Sequence, residues 1–353
     1  RNGNNDIYAQ RINSSGERLW RDEVQVNSDG AGADQGGVSL ALLPEQGAVL
    51  AWHDNRAGSY DIYVAHLANT GAPAWAENLR VNSDMTDSAQ TYPALATNAA
   101  GDLTVVWLDQ RIGNSDIYAH HLTASGQLLW QSEVRLNQPA EAAQSHPRLA
   151  IHPSGENWIV WAAAQSGHLL AQQISDSGQL AYASAWPVSQ PSEPLDPNQQ
   201  PFLTVAADGT LVAAWAASAD GNLYAQRFSR QGNLLWPQAV PLPRASAENN
   251  IERSAVALTV TRKVFIMAAW TANRTGNQGD VYSQALDQAG AHQWPQDQLI
   301  NGQSGKVDQQ LAAVTTLADG GQVVAWQDWR SGTAALYLQR LTSTGRLAWS
   351  TQV

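Results

Sequence analysis

The 353-residue sequence has no cysteine, two methionines, three phenylalanines and two lysines, Lys263 and Lys306. Absence of cysteine excludes disulfides, thiolate metal ligands and cysteine nucleophiles. It leaves the compartment open, because many secreted bacterial proteins also lack disulfides. Charged residues make up 14 % of the chain and the net charge is −11. An acidic, lysine-poor surface repels phosphate backbones, so no nucleic-acid partner is expected. No apolar run reaches the roughly 18 to 20 residues that span a bilayer, and no signal-peptide pattern opens the sequence. No Walker loop, Gly-x-Ser-x-Gly or His-Glu-x-x-His motif is present.

What is abundant is tryptophan, 15 residues, with 9 tyrosines. The tryptophans fall into two series. Trp52, Trp107, Trp161, Trp215, Trp270 and Trp326 recur every 54 to 56 residues. Trp20, Trp75, Trp130, Tyr182, Trp236, Trp294 and Trp349 form the second, with tyrosine at one place. A fixed period of this length marks a repeat architecture. Each repeat holds four short runs: an apolar one, one ending on the first tryptophan, one of Asp-Ile-Tyr type such as Asp116-Ile117-Tyr118, and one that starts near the second tryptophan. The runs are short, rich in Val, Leu, Ile, Tyr and Trp, and bounded by Gly, Pro, Asn and Ser, which is strand text. No amphipathic helix is expected.

Four strands repeated at fixed period describe a β-propeller blade, whose two faces are buried only when blades stack. The expected architecture is therefore all-β: a single β-propeller domain over 1–353 with seven four-stranded blades. Six are complete, at about 36–82, 91–138, 145–190, 199–243, 252–302 and 310–353, and 1–28 supplies part of another. The opening Arg1-Asn2-Gly3-Asn4-Asn5-Asp6 matches the turn at 111–116, so strands are expected upstream of it. Without them the chain is six blades and a hairpin, or seven with one half empty. The C-terminus is read as a complete fourth strand at Gln352-Val353.

The turn after the first tryptophan carries Asp54/Arg56, Asp109/Arg111 and Asp328/Arg330, with Asn273/Arg274 in the fifth blade. These residues either ring a mouth of the propeller and hold an acidic or sugar ligand, or close the turn as an internal ion pair. Their recurrence favours the turn. Trp329 is a candidate stacking platform for a sugar, and Trp186 stands outside both series and is expected to be exposed. The eight histidines are scattered, and alternation places His120 and His121 on opposite faces of one strand. No catalytic residue, metal or cofactor is assigned. The loops at 27–34 and 82–87 carry calcium-type oxygens without the EF-hand pattern, so a solvated loop is the default.

Ser15-Gly16 to Trp20, Thr70-Gly71 to Trp75, Ser125-Gly126 to Trp130 and Thr344-Gly345 to Trp349 resemble the Asp-box hairpins of sialidase-type propellers and the tryptophan-docking motifs of quinoprotein-like ones. The leading Asp of an Asp-box is mostly missing, with Asp176 and Asp287 nearest. In both families the motif is structural, with the tryptophan packed on a neighbouring blade. The wider Trp-x-Asp-x-Arg…Asp-Ile-Tyr-Ala-Gln-Arg text resembles repeats of secreted or surface-exposed bacterial proteins. That resemblance implies an extracellular, cell-surface or periplasmic location.

The evenness of the repeats argues for a non-catalytic binding or scaffold module with a protein or glycan partner, within a larger polypeptide or assembly. The alternative is a sialidase-like hydrolase that uses Arg56, Arg111 and Arg330 to clamp a carboxylate. No non-repeating Tyr–Glu pair supports it. A quinoprotein-like redox enzyme would need metal and quinone ligands that the sequence does not show. The visible local expansions are in the fifth blade, around 248–253 and 275–280.

Overall fold

In the computed structural model, residues 5–350 are described apart from 14, 29–31, 44–46, 85, 139–141, 191–193, 197–199, 207, 219, 244–256, 261–265, 273–278, 303–308 and 318. Among the described residues every regular element is a strand, and no helix is long and apolar enough to cross a membrane. The chain opens with a two-stranded ribbon, β1 (Tyr8–Ala9) and β2 (Val24–Gln25). Antiparallel sheets follow in chain order. The first blade is β3 (Gln35–Leu43), β4 (Gly47–Asp54), β5 (Asp61–Leu67) and β6 (Leu79–Arg80). The second is β7 (Gln90–Thr97), β8 (Leu103–Asp109), β9 (Asp116–Leu122) and β10 (Val134–Arg135). The third is β11 (Gln144–Ile151), β12 (Asn157–Ala163), β13 (His168–Ile174) and β14 (Trp186–Pro187).

The fourth blade is β15 (Phe202–Val205), β16 (Leu211–Ala216), β17 (Leu223–Phe228) and β18 (Val240–Pro241). The fifth is β19 (Ala257–Val260), β20 (Ile266–Ala272), β21 (Asp280–Leu286) and β22 (Gln298–Leu299). The sixth shows β23 (Gln309–Thr316), β24 (Gln322–Asp328) and β25 (Ala335–Leu341); its expected fourth strand at 352–353 lies outside the described residues. We refer to the four strands of a blade as A to D.

The chain divides into two compact units, 1–165 with 170–186, and 166–169 with 187–353. In the first unit, stacked sheets bury three apolar layers. Ribbon and first blade share Ile7, Val26, Leu50, Trp52 and Tyr63. First and second blades share Val49, Ala51, Val64, Leu95, Val105 and Trp107. Second and third share Val106, Ile117, Ile159 and Trp161. In the second unit, Val212, Ala214, Leu258 and Trp270 join the fourth and fifth blades, and Met267, Val281, Val324 and Trp326 join the fifth and sixth. All six tryptophans of the first series are fully buried.

The D strands differ from the sequence reading. They are two residues long and begin four residues after the second-series aromatic, as in Trp20 to Val24 and Trp294 to Gln298. In several blades a glutamine of strand C spans the interval. Gln284 Oε1 accepts from Trp294 N–H at 3.2 Å, and its Nε2 donates to the Trp294 carbonyl at 3.4 Å. Gln10 does the same to Trp20. In the first and second blades Ala65 and His120 hold this position, and their D strands start equally late.

The tryptophans of the second series lie on the glycine of the next blade's hairpin. Trp20 Nε1 donates to the Asn69 carbonyl at 2.9 Å, Trp130 to Asp176 at 2.7 Å and Trp236 to Gln288 at 2.8 Å. Gly71, Gly178 and Gly290 sit at positive φ in those hairpins. A buried polar chain ties the ribbon's D strand and those of the first and fifth blades to the following sheet. Asn82 Oδ1 accepts from Ile62 N–H, and its Nδ2 donates to Asp61 at 2.9 Å and Gln90 at 3.0 Å. Asn301 repeats this with Val281, Asp280 and Gln309. The initial Asp of the Asp-Ile-Tyr text is thus a structural acceptor.

Candidate functional site

The Asp-x-Arg turns close on themselves. Trp107 Nε1 donates to Asp109 Oδ2 at 3.0 Å, Arg111 N–H donates to Oδ1 at 3.0 Å, and Arg111 Nη2 lies 2.6 Å from Oδ2. Arg111 also lies over the Tyr118 ring at 4.5 Å. Asp54 and Arg56 copy this, with Arg56 over Tyr63 at 4.2 Å. Asp328 and Arg330 do the same, with Arg330 over Tyr337 at 4.5 Å. Burial of Asp54 and Asp328 opposes ionisation. The hydrogen bonds from Arg56 and Trp52, and from Arg330 and Trp326, outweigh it and hold both carboxyls below the usual range. Arg274 lies outside the described residues, as do most of the fifth-blade expansions. Trp329 is half-buried.

One other expectation is corrected. Trp186 is half-buried and packs edge-on against Trp158 at 6.3 Å and Tyr182 at 6.5 Å, because it starts a D strand. His120 and His121 stand on opposite faces, paired with Val105 and Thr104, and both rings still stack on Trp130, at 5.8 and 5.7 Å. His120 occupies the clamp position, where Nδ1 turns back to accept from His121 N–H at 2.8 Å. In the 82–87 loop the Asp84 oxygens are taken by Thr86 and Gln90. Among the described residues no group of three or more His, Asp or Glu is placed to hold a metal.

The feature that departs from the repeat lies in the first unit, at the start of the A strands. Here strands A and B slip register at a bulge, between Gly36 and Ser39, Thr91 and Ala94, and Ser145 and Arg148. A bulge of this kind favours a residue with positive φ, normally glycine. The first blade has Gly37, at φ 63°. The second and third have Tyr92 and His146, both at φ 51° and both followed by proline. A bulky residue held there costs on the order of 1–3 kcal/mol.

Gly37 cannot be larger, because a Cβ would stand 2.6 Å from His53 Nδ1. The His53 ring lies edge-on to Tyr60 at 4.9 Å and to Tyr92 at 5.9 Å, and Tyr92 meets His146 at 5.3 Å. Four rings from three consecutive blades therefore form one ladder. Tyr60 Oη donates to Asp34 Oδ2 at 3.3 Å, and Asp34 N–H donates to Asn55 Oδ1 at 2.7 Å, which ties the ladder to the first blade's turn. Tyr92 N–H donates to His53 Nδ1 at 3.4 Å. Burial pushes the His53 pKa down, against Asp34 and Asp54, so the imidazole is neutral near pH 7. Burial first, and Asp34 second, push the Tyr60 phenol up.

Tyr92 is 41 % exposed. An exposed aromatic residue beside a neutral imidazole, a phenol and a carboxylate suits an uncharged polyol, which stacks on rings and exchanges hydrogen bonds with the polar groups. The sequence held one signal for this ladder: Tyr92-Pro93 and His146-Pro147 stand where the first repeat has Gly37-Val38. Contact across blades was not readable from it.

No family model and no curated protein matches the sequence. Among solved structures the chain is similar to a puromycin hydrolase, with 14 % identity and a TM-score of 0.57 over 98 % of this chain and 50 % of that one. The chain thus spans about half the length of that enzyme. It is similar to a PL25 ulvan lyase bound to -[GlcA(1-4)Rha3S]-, with 9 % identity and a TM-score of 0.54 over 90 % of this chain and 81 % of that one. It is also similar to the Penicillium chrysogenum alpha-L-arabinanase complexed with arabinobiose, with 12 % identity and a TM-score of 0.54 over 88 % and 93 %. At such identities the likeness reaches the fold alone, and with the repeated sheets it establishes an all-β propeller fold with six blades among the described residues.

Proposed function

We propose that this propeller is a binding module without its own catalytic centre, acting outside the cell or at its surface, and that its ligand is a glycan. The observation that carries the reading is the ring ladder His53–Tyr60–Tyr92–His146, in which two bulky side chains occupy a backbone conformation suited to glycine. Strain retained in an otherwise regular repeat marks a position kept for its side chain. The arabinanase complexed with arabinobiose and the ulvan lyase with its bound saccharide support the ligand class, since they carry sugars on a similar fold.

In this reading Asp54, Arg56, Asp109, Arg111, Asp328 and Arg330 brace the turns, and Trp329 is a second stacking surface. The alternative, a sialidase-like hydrolase, is disfavoured by two observations. Its clamp arginines are held by their own aspartates and tyrosines, and a Tyr60 phenol with a raised pKa is a poor nucleophile. The ribbon of β1 and β2 is read as the outer half of a seventh blade.

A glycan array followed by calorimetry tests the proposal. Tyr92→Ala is expected to weaken binding about tenfold or more, as for an aromatic anchor. Tyr92→Gly suits φ 51°, so it is expected to keep the fold and still lose binding. Unchanged affinity in Tyr92→Gly, or glycoside turnover abolished by Arg111→Ala, would overturn the proposal.

A further inference from the structure

A cavity of about 550 Å³ opens in the first unit between the second and third blades, at the strand ends away from the ring ladder. Asp102 of the turn before β8, His121 of β9, the segment 129–134 and Asp176 of the third blade's C–D hairpin line it. The volume suits a small ligand. Leu129, Trp130 and Val134 supply an apolar wall, and Asp102 and Asp176 bring two carboxylates. One oxygen of each is engaged: Ala124 N–H donates to Asp102 Oδ1 at 3.3 Å, and Asn157 Nδ2 to Asp176 Oδ1 at 2.9 Å. Among the described residues no arginine or lysine lines the cavity.

The fourth blade supplies the control. Arg227 holds the place of His121, pairing with Val212 as His121 pairs with Thr104. Its guanidinium crosses the corresponding space. Nε donates to Thr210 Oγ1 at 2.9 Å, Nη2 to Asp208, and Nη1 to the Gln288 carbonyl of the next hairpin at 2.8 Å. That carbonyl also accepts from the Trp236 indole. In the ribbon Arg11 Nη1 and Trp20 Nε1 share the Asn69 carbonyl in the same way. In the second blade, among the described residues, the Trp130 indole alone donates to the Asp176 carbonyl. Asp102 stands where Thr210 does, one residue ahead of strand B. His121 is the shorter side chain, and its Nδ1 lies 2.8 Å from Thr104 Oγ1. Burial pushes its pKa down, against Asp176 and Asp102, so it supplies no charge near pH 7. The second blade thus keeps the acceptors of an arginine without the arginine.

We propose that this cavity binds an alkylguanidinium cation, either a free alkylguanidine or an arginine side chain of a partner peptide. The guanidinium bridges Asp102 and the Asp176 carbonyl, as Arg227 bridges its own turn and Gln288, and the alkyl stem lies on Leu129 and Val134. The exposed Asp176 carboxylate adds negative charge at the rim. A planar group with five donors meets acceptors on two sides of a gap, which a compact ammonium does not. The inference is independent of the glycan reading, since the ring ladder is built from other side chains.

A magnetic-resonance titration of the full chain, followed at the Trp130 indole N–H, tests the proposal. N-butylguanidinium and an acetylated Gly-Arg-Gly amide should shift this resonance saturably, and the tighter of the two identifies the source. N-butylammonium, of equal charge and similar stem, should bind about tenfold or more weakly. Asp102→Asn should weaken N-butylguanidinium binding by a similar factor. His121→Arg places the missing group in the chain itself, so it should abolish binding and raise the melting temperature. The proposal is overturned by the absence of a saturable shift, by equal affinity for the ammonium, or by unchanged affinity in Asp102→Asn. All three are read without His121→Arg, so they decide the matter even if that variant does not fold.

Discussion

At the scale of single residues, the recurring polar positions are governed by burial. Asp109 is fully buried, and its carboxylate is satisfied by the Trp107 indole, the Arg111 amide and the Arg111 guanidinium. Removing one partner of a buried pair leaves the other uncompensated, typically at about 3–5 kcal/mol. Arg111 keeps 18 % of its side chain in solvent, so the lower end applies. Asp109→Ala is therefore expected to cost about 3 kcal/mol in urea unfolding while the folded fraction keeps its ligand affinity. Lost affinity at full stability would instead return the Asp-x-Arg turns to the binding site. Recurrence in the sequence pointed to this structural role. It could not supply the stacking of Arg56, Arg111 and Arg330 on the tyrosines of strand C, which depends on the B–C ladder.

At the scale of elements, the A, B and C strands were readable because their alternation and bounding turns are local properties. The D strands were readable as a fourth run but not in their extent, since a strand of two residues has no period to read. The same holds for the ring ladder: Tyr92-Pro93 looks like an ordinary strand start until the register slip at Thr91 and Ala94 is seen. The C–D hairpins were legible as Gly…Trp text, and their docking makes a prediction. Gly126 has φ 87°, and a Cβ there would stand 2.3 Å from Leu79 Cδ1 and 3.5 Å from the Trp75 ring. Gly126→Ala combines backbone strain with this clash, so about 2 kcal/mol or more of destabilisation is expected. It should appear in hydrogen exchange as earlier opening of the second-blade hairpin.

At the scale of the whole molecule, stability is expected to fall on acidification in two stages. His53, His120 and His121 have folded pKa values pushed below 6.5 by burial. The unfolded chain binds their protons more readily, so stability is complete above pH 6.5 and declines as pH falls towards the folded values. Asp54 and Asp328 are depressed below 3.8, so their contribution is present above that pH and is lost as pH falls through the folded values. Asp280, raised by burial, runs the opposite way. A urea midpoint unchanged between pH 7 and pH 5 would show that the three imidazoles protonate without cost. The sequence by itself determined the strand content, the period, the six repeated blades and the buried tryptophan series, because each follows from short-range patterning repeated at fixed spacing, whereas the seventh blade it led us to expect is not established by it. Only the tertiary structure decided which rings from different blades meet, where left-handed backbone is forced on Tyr92 and His146, and that a cavity stands beside His121 where Arg227 fills the corresponding space in the fourth blade. Those are contacts between sheets, and no spacing within one repeat encodes which neighbour lies across the gap.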